Sequence, residues 1–301
     1  MTAPKIYLSN KELLKEIHKS KMTYSWIKSP DYFQHDIIVR DLNDFNSTPT
    51  EKLPDGVIAE AQSNRAAALS AKAHDVALRE WEGKGGKGEK PKAIQYKVDS
   101  STVNPDDLVI RLMTFAHIPE EPGRKNKPKI TSDYHSKVNF PPFQHFAKLN
   151  GDWKEVARSH WKGDADTGEF SVDHGTTTRR LAEMYIKLCE RYSMRSNWRG
   201  YTYVEEMRGQ ALLQLSQIGL QFDESKSENP FAYYTAAITN SFTRILNIEK
   251  KNQVIRDDLL IDNGQLPSYS RQLEYEAGMV LERERNSALR DSESVGVIVD
   301  E

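Results

Sequence analysis

Three helical patterns follow one another between residues 176 and 262, and they constrain the fold more than any other feature. The first, "TTTRRLAEMYIKLCERY", repeats its large apolar side chains at helical spacing. They are Leu181, Met184, Tyr185, Leu188 and Tyr192. In the second, "YVEEMRGQALLQLSQIGLQF", one face carries Met207, Ala211, Leu215 and Ile218. The third has Asn229 as its expected cap and Pro230 at its first position. These helices, joined by short loops, predict an all-α bundle with a shared core.

Composition narrows the class of protein. The 301 residues leave room for two domains, and the 29% charged residues with a mean hydropathy of −0.70 predict a polar, soluble chain without a membrane span. Cys189 is the single cysteine, which excludes an internal disulfide or cysteine-based zinc site and suits a reducing cytosol. The net charge is −2, so a nucleic-acid binder of this kind would have to concentrate its cations locally.

The chain divides into four predicted parts. Residues 1–22 form an N-terminal helix with Asn10 as its cap. Residues 23–150 are irregular and partly helical, with an Ala-rich helix at 60–82 that leads into the basic loop "GKGGKGEKPK", a separable appendage by this interpretation. Residues 151–262 hold the helical domain, and 263–301 a charged helix and a tail.

No motif predicts catalysis. The glycine-rich loop fails the Walker pattern because Gly88 is followed by Glu89, which favours a solvated linker. His135 and His145, with Asp133 nearby, could form a metal site, but histidines that pack in the core or lie on the surface are the simpler interpretation. Because no nucleophile signature or two-metal carboxylate run occurs, we expect a protein that is not an enzyme and has no cofactor.

The third helix combines aromatic and basic residues. Tyr233 and Tyr234 lie near its start, and Arg244, Lys250 and Lys251 follow. Aromatic rings stack on unpaired bases, while Lys and Arg neutralise phosphates. A simpler alternative stays open, in which Phe231, Tyr234 and Ile238 pack inward and the lysines are solvated.

These segments resemble region 2 of bacterial sigma factors, and most closely the late-transcription sigma factors of T-even and related phages. The matching segments are "NKELL", "GYT", "EM", "FDES", "NPFAYYTAAITNSF" and "EKK", in the family's order. The resemblance covers about 175–260 and the first twenty residues. Residues 23–150 therefore look like an insertion relative to the family. It implies a sigma region 2-like helical bundle.

The resemblance also implies roles for individual residues. Asn240 and Thr243 fall where sigma factors read the upstream base pair of the −10 element, and Arg244 is placed for phosphate. Ala236 and Ala237 replace a tryptophan pair of housekeeping sigma factors, which implies weaker melting and reliance on helper proteins. The implied DNA-binding set is Phe231, Tyr233, Tyr234, Asn240, Thr243, Arg244, Lys250 and Lys251. The implied contacts to core polymerase are Glu206, Met207 and Gln210.

Partners and location follow from the same family. No second promoter-reading domain is visible after residue 260, as in phage late sigma factors, which rely on a co-activator and the DNA sliding clamp. The tail "VGVIVDE" has the hydrophobic-acidic character of a clamp-binding segment through Val297, Ile298 and Val299, although a frayed terminus explains it equally. The expected partners are host core RNA polymerase and promoter DNA in the cytoplasm of an infected bacterium. A DNA-binding co-activator without sigma activity is the alternative, and an enzyme built on 23–150 a more remote one.

Overall fold

The computed structural model describes residues 8–39, 55–119 and 138–296. Helical residues far outnumber strand residues (58% against 12%), which confirms a mostly helical chain, but the all-α prediction holds only roughly because a five-stranded sheet is present. The helices are α1 (Asn10–Thr23), α2 (Asp55–Gly83), α3 (Arg179–Ser193), α4 (Val204–Ile218), α5 (Pro230–Asp262) and α6 (Tyr269–Gly296). The strands are β1 (Ser25–Ile27), β2 (Ile37–Val39), β3 (Ile110–Met113), β4 (Phe143–Leu149), β5 (Asp152–Ser159), β6 (Trp161–Lys162) and β7 (Glu169–Phe170).

The sheet has the strand order β1-β5-β4-β3-β2, and only the β2–β3 pair is parallel. Strands β4 and β5 form a hairpin whose two-residue turn is Asn150 and Gly151, with φ of 57° and 88°. Positive φ at both positions identifies a type I′ turn, whose twist matches that of the flanking strands. The predicted boundary at 150/151 therefore falls inside a hairpin, and the sheet takes strands from both sides of it.

Helix α2 contributes to a buried core of the region predicted as an insertion. Ala61 and Ala66 of α2 pack with Val103 and Leu108, and Ile37 of β2 contacts this cluster as well as the neighbouring one on the sheet. This packing disfavours the interpretation of the helix as a separable appendage, which stays a prediction. Removing it would expose apolar surface that the folded chain buries.

The N-terminal helix α1 packs against α3. Leu13 and Ile17 are fully buried, and the Thr178 hydroxyl, which caps α3, donates to the Glu16 carboxylate at 3.1 Å. Ser9, not Asn10, caps α1, since the Glu12 amide donates to its hydroxyl. The side-chain oxygen Oδ1 of Asn10 instead accepts a hydrogen bond from the Phe231 backbone amide at 3.2 Å.

The apolar faces predicted for α3 and α4 are buried, except that Ile218 of α4 is half-buried. All five large apolar residues named for α3 lie in the core, and Met207, Ala211 and Leu215 of α4 are fully buried. Helix α5 begins at Pro230, and the Asn229 side chain accepts from the Ala232 amide at 3.0 Å, which confirms the predicted cap.

The chain forms two compact units. The first comprises Met1–Gly200 and Ala211–Ile238, and it holds the sheet and the helices α1 to α3. The second comprises Tyr201–Gln210 and Thr239–Glu301. Within this second unit the turn before α6 is fixed to α5, because the Asp257 carboxylate accepts from the Ser268 amide and hydroxyl at 2.8 and 2.7 Å. Among the described helices, none combines the length and apolar character needed to cross a bilayer.

Candidate nucleic-acid interface

One face of α5 gathers four of the eight residues predicted to bind DNA. Asn240, Thr243, Arg244 and Lys251 are all exposed and line a single shallow depression in the second unit. Two residues that the sequence reasoning missed complete it. The polar face of α5 is thus Asn240, Thr243, Arg244, Asn247, Ile248 and Lys251.

The helical period explains why these side chains converge. Residues three, four, seven, eight and eleven positions apart return to the same side of an α-helix. Asn247 follows Thr243 by four positions and Ile248 follows Arg244 by four, so the same spacing applied to the sequence would have found them. Lys250 is exposed but does not line the depression.

The chemistry of this face suits a duplex. None of its six side chains is acidic, and Arg244 and Lys251 supply two cations in a chain whose net charge is −2. The two amides and the hydroxyl can donate to and accept from base edges, and Ile248, 44% exposed, offers an apolar contact. A nucleic-acid binder with this net charge must group its cations locally, and Arg244 and Lys251 form such a group on this face.

The predicted aromatic group divides by burial. Tyr234 is fully buried, its hydroxyl donates to the Gly219 carbonyl at 2.8 Å, and its ring meets Tyr185 edge-on at 5.2 Å. A ring held in the core cannot stack on a base, so that assignment of Tyr234 is wrong, and the inward-packing alternative applies to it and to Ile238.

Phe231 and Tyr233 remain accessible. The Phe231 side chain is 39% exposed. Tyr233 is half-buried: its hydroxyl donates to the Ile218 carbonyl at 3.2 Å, and its ring contacts Phe222 edge-on. The residues able to meet an unpaired base are therefore these two.

The three residues of α4 predicted to contact polymerase also differ in burial. Glu206 is exposed and Gln210 half-buried, and their spacing of four places them on one side of the helix. Met207 is fully buried, so its assignment to an external contact is wrong. It belongs to the apolar face that the same sequence pattern predicted.

A second group of functional side chains, the buried ion cluster, lies in the first unit. We define it as His18, Lys21, Arg111, His145 and Glu224. The Lys21 ammonium and the Arg111 guanidinium contact the same Glu224 carboxylate oxygen at 2.8 and 3.4 Å. Arg111 also donates to His145 Nε2 at 3.0 Å and lies 2.8 Å from His18 Nδ1. Lys21 and Arg111 are 0% exposed and Glu224 8%, whereas His18 is half-buried, so the charged members of the cluster are shielded from solvent.

Burial and charge set the ionisation of this cluster. Burial alone would raise the pKa of the Glu224 carboxyl, but Lys21 and Arg111 outweigh it and the net pKa is lowered. Burial, reinforced by Arg111, lowers the pKa of His18 to about 3 and that of His145 well below its ordinary value. His35, whose ring lies 5.1 Å from that of His18, has its pKa lowered by the same two causes. These histidines are neutral at pH 7.

The cluster joins the motif "FDES" to the insertion. Lys21 Nζ also donates to the Phe222 carbonyl at 2.6 Å, so one side chain of α1 holds both Phe222 and Glu224. Arg111, on β3, completes the contact and stacks over the Phe143 ring at 3.8 Å. Perturbed pKa values often mark active sites, but Lys21, Arg111 and Glu224 are buried and mutually paired, which is the arrangement of a structural ion cluster.

In the described part of the chain, no group of three or more His, Cys, Asp or Glu side chains is placed so that it could hold a metal ion. Both ring nitrogens of His145, one of the residues of the predicted metal site, are engaged in hydrogen bonds, Nε2 with Arg111 and Nδ1 with the Tyr32 carbonyl. His135 and Asp133 lie outside the described residues, as do Val297, Ile298 and Val299 of the predicted clamp-binding tail.

Comparisons with family models, with curated proteins and with solved structures found no match to this chain.

Proposed function

We propose that this protein is a sigma factor that binds host core RNA polymerase and directs it to phage late promoters by recognising and opening a −10-like element. The observation that carries the proposal is the polar face of α5. It brings together Asn240 and Thr243, the base-reading residues of the sequence resemblance, with Arg244 and Lys251 and without an acidic side chain. Such a face can meet base edges and phosphates at once.

The exposed aromatic residues support the opening step. Phe231 is exposed and Tyr233 is half-buried, so both have accessible ring surface. Because Tyr234 is buried and two alanines replace the tryptophan pair, this aromatic surface is small. We therefore propose that opening depends on helper proteins, with the late co-activator and the sliding clamp as the partners that the family suggests.

The alternative is a DNA-binding co-activator without sigma activity. The burial of Met207 favours it, because one of three residues assigned to the polymerase contact is inaccessible. Glu206 and Gln210 favour the sigma factor, since both reach the surface of α4. Direct binding to core polymerase separates the two functions.

Reversing the charge of the α4 surface is expected to abolish binding to core polymerase. Glu206→Lys combined with Gln210→Lys puts two cations where the proposed contact presents a carboxylate and an amide. We expect at least a tenfold loss of affinity in a pull-down titration with purified core polymerase, with helical content unchanged by circular dichroism. Ser216→Lys, at an exposed position of α4 about 80° and 120° around the helix from Glu206 and Gln210, is the control and should bind as the wild type does. Undiminished binding of the folded double variant would reject this interface.

Substituting the aromatic residues and substituting the basic residues are expected to impair different steps, promoter opening and DNA binding respectively. Phe231→Ala with Tyr233→Ala removes stacking, which contributes about 1–3 kcal/mol per base, so promoter opening should fall and a pre-melted template should restore it. Arg244→Ala with Lys251→Ala removes phosphate contacts, so binding should weaken on both templates and the slope of log affinity against log salt should flatten by about two. Permanganate footprinting and salt titrations measure the two effects. Rescue of the basic variant alone by pre-melting would contradict this division.

A further inference from the structure

We propose that Asn247 and Ile248 are additional specificity-determining residues that extend base reading beyond Asn240 and Thr243, with Asn247 selecting adenine and Ile248 a thymine methyl group. This inference rests on the proposed function and deepens it. It originates in the structure, since the two residues complete the polar face of α5 between Thr243 and Lys251.

The position of Asn247 on the helix is the first argument. Asn240 and Asn247 are seven residues apart, which is about 20° of rotation and about 10.5 Å of rise on an α-helix. The two amides therefore project from nearly the same line. Because a helix that follows the major groove is inclined to the DNA axis, this rise corresponds to about two base-pair steps, the span that a zinc-finger helix covers with a similar residue spacing.

The chemistry of the two side chains is the second argument. An asparagine amide pairs with N6 and N7 of adenine, because it offers one donor and one acceptor in the matching arrangement. Ile248 is 44% exposed in a depression that is otherwise lined by polar and basic groups. An apolar side chain at a base-reading surface contacts the methyl group of thymine, which cytosine lacks.

The flanking cations are the third argument. Arg244 and Lys251 lie on either side of Asn247 and Ile248 in sequence and line the same depression. Phosphate contacts fix the register of a helix on the duplex without reading sequence. With one cation before and one after the pair, Asn247 and Ile248 fall within the stretch of helix held against the DNA.

The experiment selects preferred sites from a pool of duplexes with twelve randomised positions, using the full-length protein assembled with purified bacterial core polymerase. Asn247→Ala should lose the preference for adenine at one position by roughly tenfold to a hundredfold, the range of a lost bidentate contact. Asn247→Asp, which can only accept, should shift that preference towards cytosine. Ile248→Ala should lose a thymine preference, and Asn240→Ala should alter a position about two base pairs from that of Asn247.

Asn252→Ala is the matched control. Asn252 is an exposed amide on the same helix, about 140° around from Asn247, and its amide nitrogen donates to Glu249 at 3.1 Å. The selected motif should be unchanged in this variant. A wild-type motif that survives Asn247→Ala and Ile248→Ala intact would overturn the inference while leaving the proposed function in place. If the wild-type assembly enriches no motif that core polymerase alone does not, the proposed function falls and the inference with it.

Discussion

Glu224→Gln is expected to lower the free energy of unfolding by about 3–5 kcal/mol, the usual loss when one partner of a buried ion pair is removed. The substitution keeps the shape of the side chain but takes away the carboxylate that contacts both Lys21 and Arg111. Two cations that are 0% exposed would then face each other without a counter-charge. Urea unfolding followed by circular dichroism measures the loss.

Two further variants show whether charge is the cause. Glu228→Gln changes an exposed glutamate of the same loop and should alter stability by less than about 0.5 kcal/mol. Adding Arg111→Met to Glu224→Gln removes one stranded cation and should recover part of the loss. A loss below about 1 kcal/mol for Glu224→Gln would show that the cluster does not hold the fold together.

Mild acid is expected to destabilise the protein strongly between pH 7 and pH 5. The pKa of His18 is lowered to about 3, and the pKa values of His35 and His145 are lowered as well. Between pH 7 and pH 5, these histidines therefore bind protons in the unfolded chain but stay neutral in the folded chain. The stability that these neutral histidines contribute is fully present above about pH 6.5 and is lost as the pH falls towards their folded pKa values. For His18 alone, the loss at pH 5 is about 2 kcal/mol.

One buried carboxyl opposes this effect. Burial raises the pKa of Asp36 to about 6, so its protonation in the folded state returns about 1 kcal/mol over the same interval. The sum still destabilises, because three histidines act against one aspartate. Urea unfolding at pH 7, 6 and 5, with the histidine ring protons followed by NMR, measures both quantities. Stability that does not change with pH, or cluster histidines that titrate near pH 6.5, would contradict the expectation.

Much of the helical architecture is predictable because its signals are local. The apolar spacing of α3 and α4 and the Asn229-Pro230 start of α5 depend on residues within one or two turns. The β4–β5 hairpin had an equally local signal: an Asn-Gly pair follows "FQHFAKL", in which buried and less buried residues alternate. That pattern was available in the sequence, and the all-α prediction overlooked it.

The division of the aromatic residues was also predictable. Tyr234, Ile238, Phe242 and Ile245 are spaced at four, four and three residues, which is an apolar stripe of α5, and all are buried. Tyr233 lies about 100° away from that stripe and is half-buried. Helical spacing therefore separates the core tyrosine from its accessible neighbour.

The buried ion cluster could not be predicted in this way. Lys21 and Glu224 are 203 residues apart, and Arg111 and Glu224 are 113 apart. No local pattern links a lysine of α1, an arginine of β3 and a glutamate in the loop before α5. Only the packing of the insertion against the "FDES" segment reveals that Glu224 is a buried partner of two cations.

Run-off transcription tests the proposed sigma activity most directly. Host core polymerase is supplied with late-promoter templates of the phage, with and without this protein, and with the variant that carries Asn240→Ala, Thr243→Ala and Arg244→Ala. We predict promoter-specific transcripts only when the wild-type protein is present, and a loss of at least tenfold with the variant. The same yield of promoter-specific transcript with and without the protein would contradict the proposal.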